Sequence, residues 1–188
     1  ASATITALEK GAVDFFAKPG GPISLDIGKS QEEIINKIKM AAEIPRHKCQ
    51  NYRKDNLGLG LAILEEKKYP ASATTANAFA LIAIGTSTGG PRALHEVLSR
   101  IPDGLNAALF IVQHMPPGFT KSLAQRLDSI SSLTVKEAEE GEEVKSGFAY
   151  IAPGDYHMEV LPKQNKLLIH LHQGPNVNGH RPSVDVLM

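Results

Sequence analysis

Leu81-Ile82-Ala83-Ile84-Gly85-Thr86-Ser87-Thr88-Gly89-Gly90-Pro91 is the stretch on which the fold turns. Its first four residues are apolar and include two β-branched isoleucines, the pattern of a buried strand in a parallel sheet. Gly85, Gly89 and Gly90 permit a turn too tight for side chains. Pro91 suits the first helical position, where no N–H is needed. Leu94, Val97, Leu98 and Ile101 then recur at i, i+3, i+4 and i+7 as one apolar helix face. A strand, a glycine turn carrying Ser87 and a helix are expected in that order.

Three readings of the turn stay open. Gly85-Thr86-Ser87-Thr88-Gly89 has the G-x-S-x-G form of a nucleophile elbow, which lifts a serine hydroxyl above a sheet. The N–H groups of Thr88 and Gly89 would then face an oxyanion. Alternatively, the same N–H groups at a helix start bind a phosphate, with Ser87 as helix cap, in a non-enzymatic phosphate- or partner-binding α/β module. No Gly-Lys-Ser/Thr follows, so the full phosphate-loop signature is missing. In the third reading the serine caps the helix and the turn does no chemistry.

The next unit repeats the first. Ala107 to Val112 is a second apolar strand, and after Gln113-His114-Met115-Pro116-Pro117-Gly118 the residues Phe119, Leu123, Leu127 and Ile130 share one helix face. Two such β-α units imply a parallel sheet with right-handed crossovers. Ser87 and His114 then lie past the carboxyl ends of parallel strands, on the rim where open α/β sheets carry their sites. Adjacent strands are about 4.8 Å apart, so the two side chains are within reach of one another. Together they suggest a nucleophile and its general base. Met115, beside the candidate base, and Arg181 are candidate substrate contacts; for Arg181, orienting a carboxylate and anchoring its own loop are equal alternatives.

Beyond this unit the patterning changes. Thr134–Ala138 reads as a short strand before the acidic turn Glu139-Glu140-Gly141-Glu142-Glu143, a solvated loop in preference to a cation site. Phe148–Ala152 reads as another strand, and His157–Leu161 with Lys166–Leu171 as a hairpin. His157, His170, His172 and His180 lack metal-ligand spacing and read as strand-surface residues in preference to metal ligands. Pro182 and Asp185 favour a final helix.

The total charge narrows the classes. Among 188 residues the formal net charge is zero, which gives no pull toward nucleic acid or an acidic membrane. A hydrophobic content of 42% supports a real core, while no apolar run is long enough for membrane insertion. The single cysteine, Cys49, excludes an internal disulfide and suits the cytoplasm. The chain opens without methionine inside a helical pattern and closes on the first turns of another helix, so both ends read as cut.

Residues 1–43 hold a helix end at Ile5 and Leu8, a short strand Val13–Ala17, and a second helix behind the capping box Ser30/Glu33. Residues 44–78, basic and then small and polar, read as an interdomain linker; the G-x-G within Leu57–Leu61 follows no strong strand. Ala7-Leu8-Glu9-Lys10-Gly11-Ala12-Val13-Asp14-Phe15-Phe16-Ala17-Lys18-Pro19 resembles the C-terminal third of a response-regulator receiver domain, a flavodoxin-like fold. That resemblance makes Lys18 the phosphoryl-contact lysine, although the phospho-acceptor aspartate of such domains has no counterpart here.

Taken together, Ile84-Gly85-Thr86-Ser87-Thr88-Gly89-Gly90, Gln113-His114-Met115-Pro116-Pro117-Gly118-Phe119, Tyr150-Ile151-Ala152-Pro153-Gly154-Asp155 and Arg181-Pro182-Ser183-Val184-Asp185 closely resemble the chemotaxis-type protein-glutamate methylesterases. The resemblance implies an open, mainly parallel α/β sheet with flanking helices and a small antiparallel hairpin over residues 79–188. It implies hydrolysis of glutamate methyl esters on methylated chemoreceptors, deamidation of receptor glutamines in many members, and no cofactor. A histidine kinase is implied as phosphodonor for an intact receiver domain. Ser87 becomes the nucleophile and His114 its base. The family's third residue, an aspartate in a Met-Gly-x-Asp-Gly-like motif, has no counterpart here, and neither Asp155 nor Asp185 sits in that context. Loss of the orienting aspartate costs on the order of 10⁴ in turnover in the serine-protease template. The chain by itself is therefore expected to be nearly inactive. A lipase-like hydrolase fits less well, because its order is serine, acid, histidine.

Overall fold

The computed structural model describes residues 2–17, 31–44 and 79–188. Lys18, Ser30, Cys49, the G-x-G at Gly58 and nearly all of the expected linker lie outside the described residues. From residue 79 the elements are β1 (Ala80–Thr86), α3 (Gly90–Leu98), β2 (Ala107–Gln113), α4 (Phe119–Asp128), β3 (Thr134–Glu137), β4 (Phe148–Ile151), β5 (His157–Lys163), β6 (Lys166–His172) and α5 (Val184–Leu187). Before them stand α1 (Ser2–Glu9) and α2 (Gln31–Glu43). The sheet has four strands in the order β1-β2-β4-β3, all pairs parallel, and β5-β6 form a separate antiparallel pair.

Strand β2 explains its own sequence. Leu109 and Ile111 enter a core with Leu94, Leu98, Leu123 and Leu127 from α3 and α4, joined by Ile5 and Leu8 of α1. Phe110 and Val112 point to the opposite face, against Met158 and Ile169 of the hairpin. Both faces are covered, and all seven residues are buried. A strand covered twice needs an unbroken apolar run, not alternation.

Strand β1 departs from the expectation of burial. Leu81 is 49% exposed and Ile82 38%, because among the described residues β1 pairs only with β2 and its first half is left uncovered. An apolar run reports capacity for burial, and a neighbouring layer must realise it. A second correction concerns Val13–Ala17, which form no strand. Strand structure needs a ladder partner, and here Lys37 Nζ donates to the Phe15 carbonyl at 2.8 Å while the Phe15 ring packs on Phe119 at 4.7 Å. The hairpin is as expected but longer: β5 runs to Lys163, and Gln164 and Asn165 alone make the turn, at φ 48° and 63°. Two positive φ values in a two-residue loop match the right-handed twist of the strands they join.

Candidate functional site

The parallel register sets the site. Thr86 and Gln113, the last residues of β1 and β2, are partners, so Ser87 and His114 leave the sheet side by side. Thr86 Oγ1 donates to the Val112 carbonyl at 3.1 Å, and the His114 N–H donates to the Thr86 carbonyl at 3.3 Å. These contacts hold the two strand ends together. Ser87 Oγ and His114 Nδ1 are 3.3 Å apart. For Ser87 to donate, Nδ1 must be the unprotonated nitrogen, which places the ring proton of neutral His114 on Nε2.

The turn after Ser87 shows how its glycines are used. Gly89, at φ 77°, occupies the cap position of α3, and no side chain caps the helix. Ser87 as a helix cap is thereby corrected: its hydroxyl faces His114. Of the three glycines, only Gly89 needs positive φ. Gly85 lies within β1, where a Cβ would meet Val184 Cγ1 of α5 at 2.5 Å; it serves packing instead of a turn. Thr88 and Gly89 follow the serine and lead into α3. The Thr88 hydroxyl donates to Asp14 Oδ2 at 2.9 Å, which brings the first segment of the chain to this turn.

His114 is half-buried and stacked on His180, with ring centroids 3.9 Å apart and planes inclined by 14°. Burial, and secondarily the neighbouring His180, holds its pKa below the ordinary value of 6.5. A neutral imidazole is what a general base requires. His114 Nε2 is buried and has no hydrogen-bond partner among the described residues. Asp155 is paired with Arg181, and Asp185 accepts from Asn178, so neither serves that nitrogen.

Arg181 settles as an anchor. It donates to Asp155 Oδ1 through Nε at 3.0 Å and Nη2 at 2.6 Å, and through Nη1 to the carbonyls of Gln173 and Gly174. Of the two alternatives held equal for Arg181, these contacts are those of the loop anchor. Met115, the other candidate substrate contact, is only 6% exposed and packs in the core with Leu123 and Leu127.

Sequence reasoning missed three residues. His157 is fully buried, not a strand-surface histidine: its Nδ1 accepts from the Ser183 N–H at 3.2 Å and its Nε2 donates to the Pro175 carbonyl at 3.0 Å. It thus pins both ends of the loop that carries His180. His180, read from the sequence as a strand-surface histidine, stacks on His114 instead, and stacking leaves no spacing signal. The third is Gln113, whose side chain is buried between the two strand ends. His170 and His172 are strand-surface histidines as expected, and among the described residues no cluster of three or more His, Cys, Asp or Glu side chains is placed to hold a metal. The acidic turn is less free than a solvated loop. Glu139 and Glu142 both take Lys136 at 2.9 Å, Glu143 takes Lys166, and Glu140 accepts from the Leu171 N–H of β6.

Comparisons with known proteins agree with this geometry. The family model for the CheB methylesterase matches residues 82–188. A protein of Pyrococcus horikoshii named protein-glutamate methylesterase/protein-glutamine glutaminase is 45% identical over 188 residues, 100% of this chain and 49% of that protein. A Thermotoga maritima protein of the same name is 44% identical over 186 residues, 98% of this chain and 50% of its own length. This chain thus spans about half the length of the curated relatives it matches. The crystal structure of the Thermotoga maritima CheB methylesterase catalytic domain superposes with a TM-score of 0.57 at 52% identity, covering 58% of each chain. With strand order, hairpin and rim site all in place and the family model covering more than half of its residues, this chain belongs to the CheB methylesterase family.

Proposed function

We propose that this chain carries the nucleophile and general base of a methylesterase that cleaves glutamate methyl esters on the cytoplasmic helices of methylated chemoreceptors, with receptor glutamine side chains as amide substrates of the same site. The observation that carries this reading is the 3.3 Å contact between Ser87 Oγ and His114 Nδ1 on the rim of a parallel sheet. The names of the curated relatives support the substrate class. In the reaction, Ser87 Oγ attacks the ester carbonyl as His114 Nδ1 takes its proton. The oxyanion forms toward the N–H groups of Thr88 and Gly89. The tetrahedral intermediate collapses, His114 returns the proton to the leaving oxygen, and methanol departs. Water, deprotonated by the same nitrogen, then cleaves the acyl-enzyme to free glutamate and serine.

The 188-residue chain by itself is proposed to turn over very slowly, because the buried Nε2 of His114 finds no carboxylate among the described residues. Residues 1–43 are proposed as the tail of a receiver domain, 44–78 as a linker and 79–188 as part of the catalytic domain, in a cytoplasmic protein. Lys18 is the proposed phosphoryl contact, and a histidine kinase the proposed phosphodonor for an intact receiver. Among the described residues no helix is long and apolar enough to cross a membrane.

The test is methanol release from receptor fragments methylated on glutamate, by the polypeptide of the complete reading frame and by its Ser87→Ala variant. Release that disappears with Ser87 supports the proposal; release that survives Ser87→Ala refutes it, and so does a complete polypeptide that releases none. A Ser87-dependent rate from residues 1–188 alone, comparable to that of the complete polypeptide, would sink the inactivity claim.

A further inference from the structure

Gln113 ends β2 and is only 3% exposed. Its side-chain Nε2 donates to the Ser87 carbonyl at 3.1 Å and to the His114 carbonyl at 3.3 Å. One planar amide therefore spans the backbones of the two reacting residues, which the sequence places 27 apart. The reverse amide orientation would set Oε1 against two carbonyl oxygens, so the two bonds fix which end points where. The remaining atom, Oε1, is buried and has no partner among the described residues.

The surroundings are shaped around this amide. A Cβ on Gly90, at the start of α3, would stand 1.9 Å from Gln113 Oε1 and 2.7 Å from Thr86 Cβ. Gly90 therefore leaves the space that the glutamine fills. The Gly90 N–H also donates to the Ser87 carbonyl at 2.8 Å, so that carbonyl is held from two sides, by the helix and by β2. A carbonyl fixed twice fixes the peptide plane of Ser87, and with it the origin from which Oγ reaches His114.

We propose that Gln113 is a positioning residue for the Ser87–His114 pair: its amide spans the carbonyls of both residues and sets the separation of nucleophile and base. The inference rests on the esterase reading for its kinetic consequence, but its geometric content is independent of that reading. Hydrophobic packing alone would be met by methionine, which has the same reach and no donor.

The experiment compares wild type with Gln113→Met and Gln113→Glu. In the complete polypeptide, Gln113→Met should lower kcat on the order of 10²-fold, the scale of an ångström misplacement of reacting groups. KM should change by less than about threefold, since substrate binding is untouched. Gln113→Glu has no donor as a carboxylate and regains one as the acid. Its rate relative to wild type should therefore climb as pH falls toward about 5. A packing role predicts no such climb. In the complete polypeptide, ¹⁵N spectra of the imidazoles should show His114 as a single Nε2–H tautomer, giving way to a mixture in Gln113→Met.

A Gln113→Met enzyme with kcat within about twofold of wild type overturns the proposal. So does an unchanged His114 tautomer in that variant. If wild type shows no esterase activity, the esterase reading fails while the tautomer comparison still decides the role of Gln113. If Gln113→Met does not fold, the pH dependence of Gln113→Glu decides it.

Discussion

Replacing Gly154 by alanine should damage the loop that holds the general base, by an amount that follows from one set of contacts. Gly154 is buried just past β4, and its φ is not positive, so no backbone strain enters. A Cβ there would lie 2.6 Å from both Pro116 C and Pro117 N and 2.7 Å from the Pro116 carbonyl oxygen. Ordinary carbon contacts are about 3.5–4.0 Å, so one backbone must retreat by about 1 Å. No side-chain rotation relieves a clash with backbone. The Gly154 N–H also donates to Thr120 Oγ1 at 3.1 Å, and that bond lengthens in the same movement. Overpacking costs about 1–3 kcal/mol and the weakened hydrogen bond about 1 kcal/mol. Lower entropy of the unfolded alanine chain returns about 0.4–1 kcal/mol. The net loss is about 1–3 kcal/mol, or a fall in Tm of about 3–10 °C for a chain of this size.

Thermal melting by circular dichroism measures this directly, and imidazole NMR shows whether His114, two residues before Pro116, moves as well. Gly104→Ala is the control: φ is 79° there and the space is open, so it should lose about 1 kcal/mol without disturbing His114. A Gly154→Ala protein that melts within about 1 °C of wild type refutes the reasoning.

Two further consequences concern the histidines. Because His114 titrates below 6.5, the unfolded chain takes up its proton first as pH falls. Its contribution to stability is therefore complete above 6.5 and declines as pH drops below that value, and the base form persists to lower pH than in an ordinary histidine. His180→Ala removes the stacked ring and its charge, so the His114 midpoint should rise toward 6.5, read by NMR titration or by the acid limb of the rate profile. His157→Phe keeps the ring volume but leaves the buried Ser183 N–H without an acceptor, a loss of about 1–3 kcal/mol in urea unfolding. Equal stability of the two proteins would mean that His157 is replaceable packing.

How far the sequence could be read depends on which physical signal each residue leaves. Strand β2 was legible because burial on both faces demands a continuous apolar run. Ser87 and His114 were legible because parallel strands deliver their carboxyl ends to one rim, whatever the loops do in detail. Burial of β1 was overestimated, since Leu81 and Ile82 carry the composition of a core strand at the edge of this sheet. Met115 and Arg181 sit next to the site in sequence or motif, yet one faces the core and the other is bound to Asp155. Proximity along the chain does not give side-chain direction. His157, His180 and Gln113 were beyond reach, because stacking, loop pinning and carbonyl bridging depend on tertiary position and impose no periodicity.

The central claim is that Ser87 is the nucleophile, and the most direct measurement traps its acyl-enzyme. The complete polypeptide is mixed with a receptor peptide carrying a glutamate methyl ester, quenched in acid within the first turnover, digested and examined by mass spectrometry. The account predicts a glutamyl-peptide adduct on Ser87, methanol released in equal amount, and neither in Ser87→Ala. Methanol release with the adduct on another residue, or undiminished release from Ser87→Ala, would contradict it.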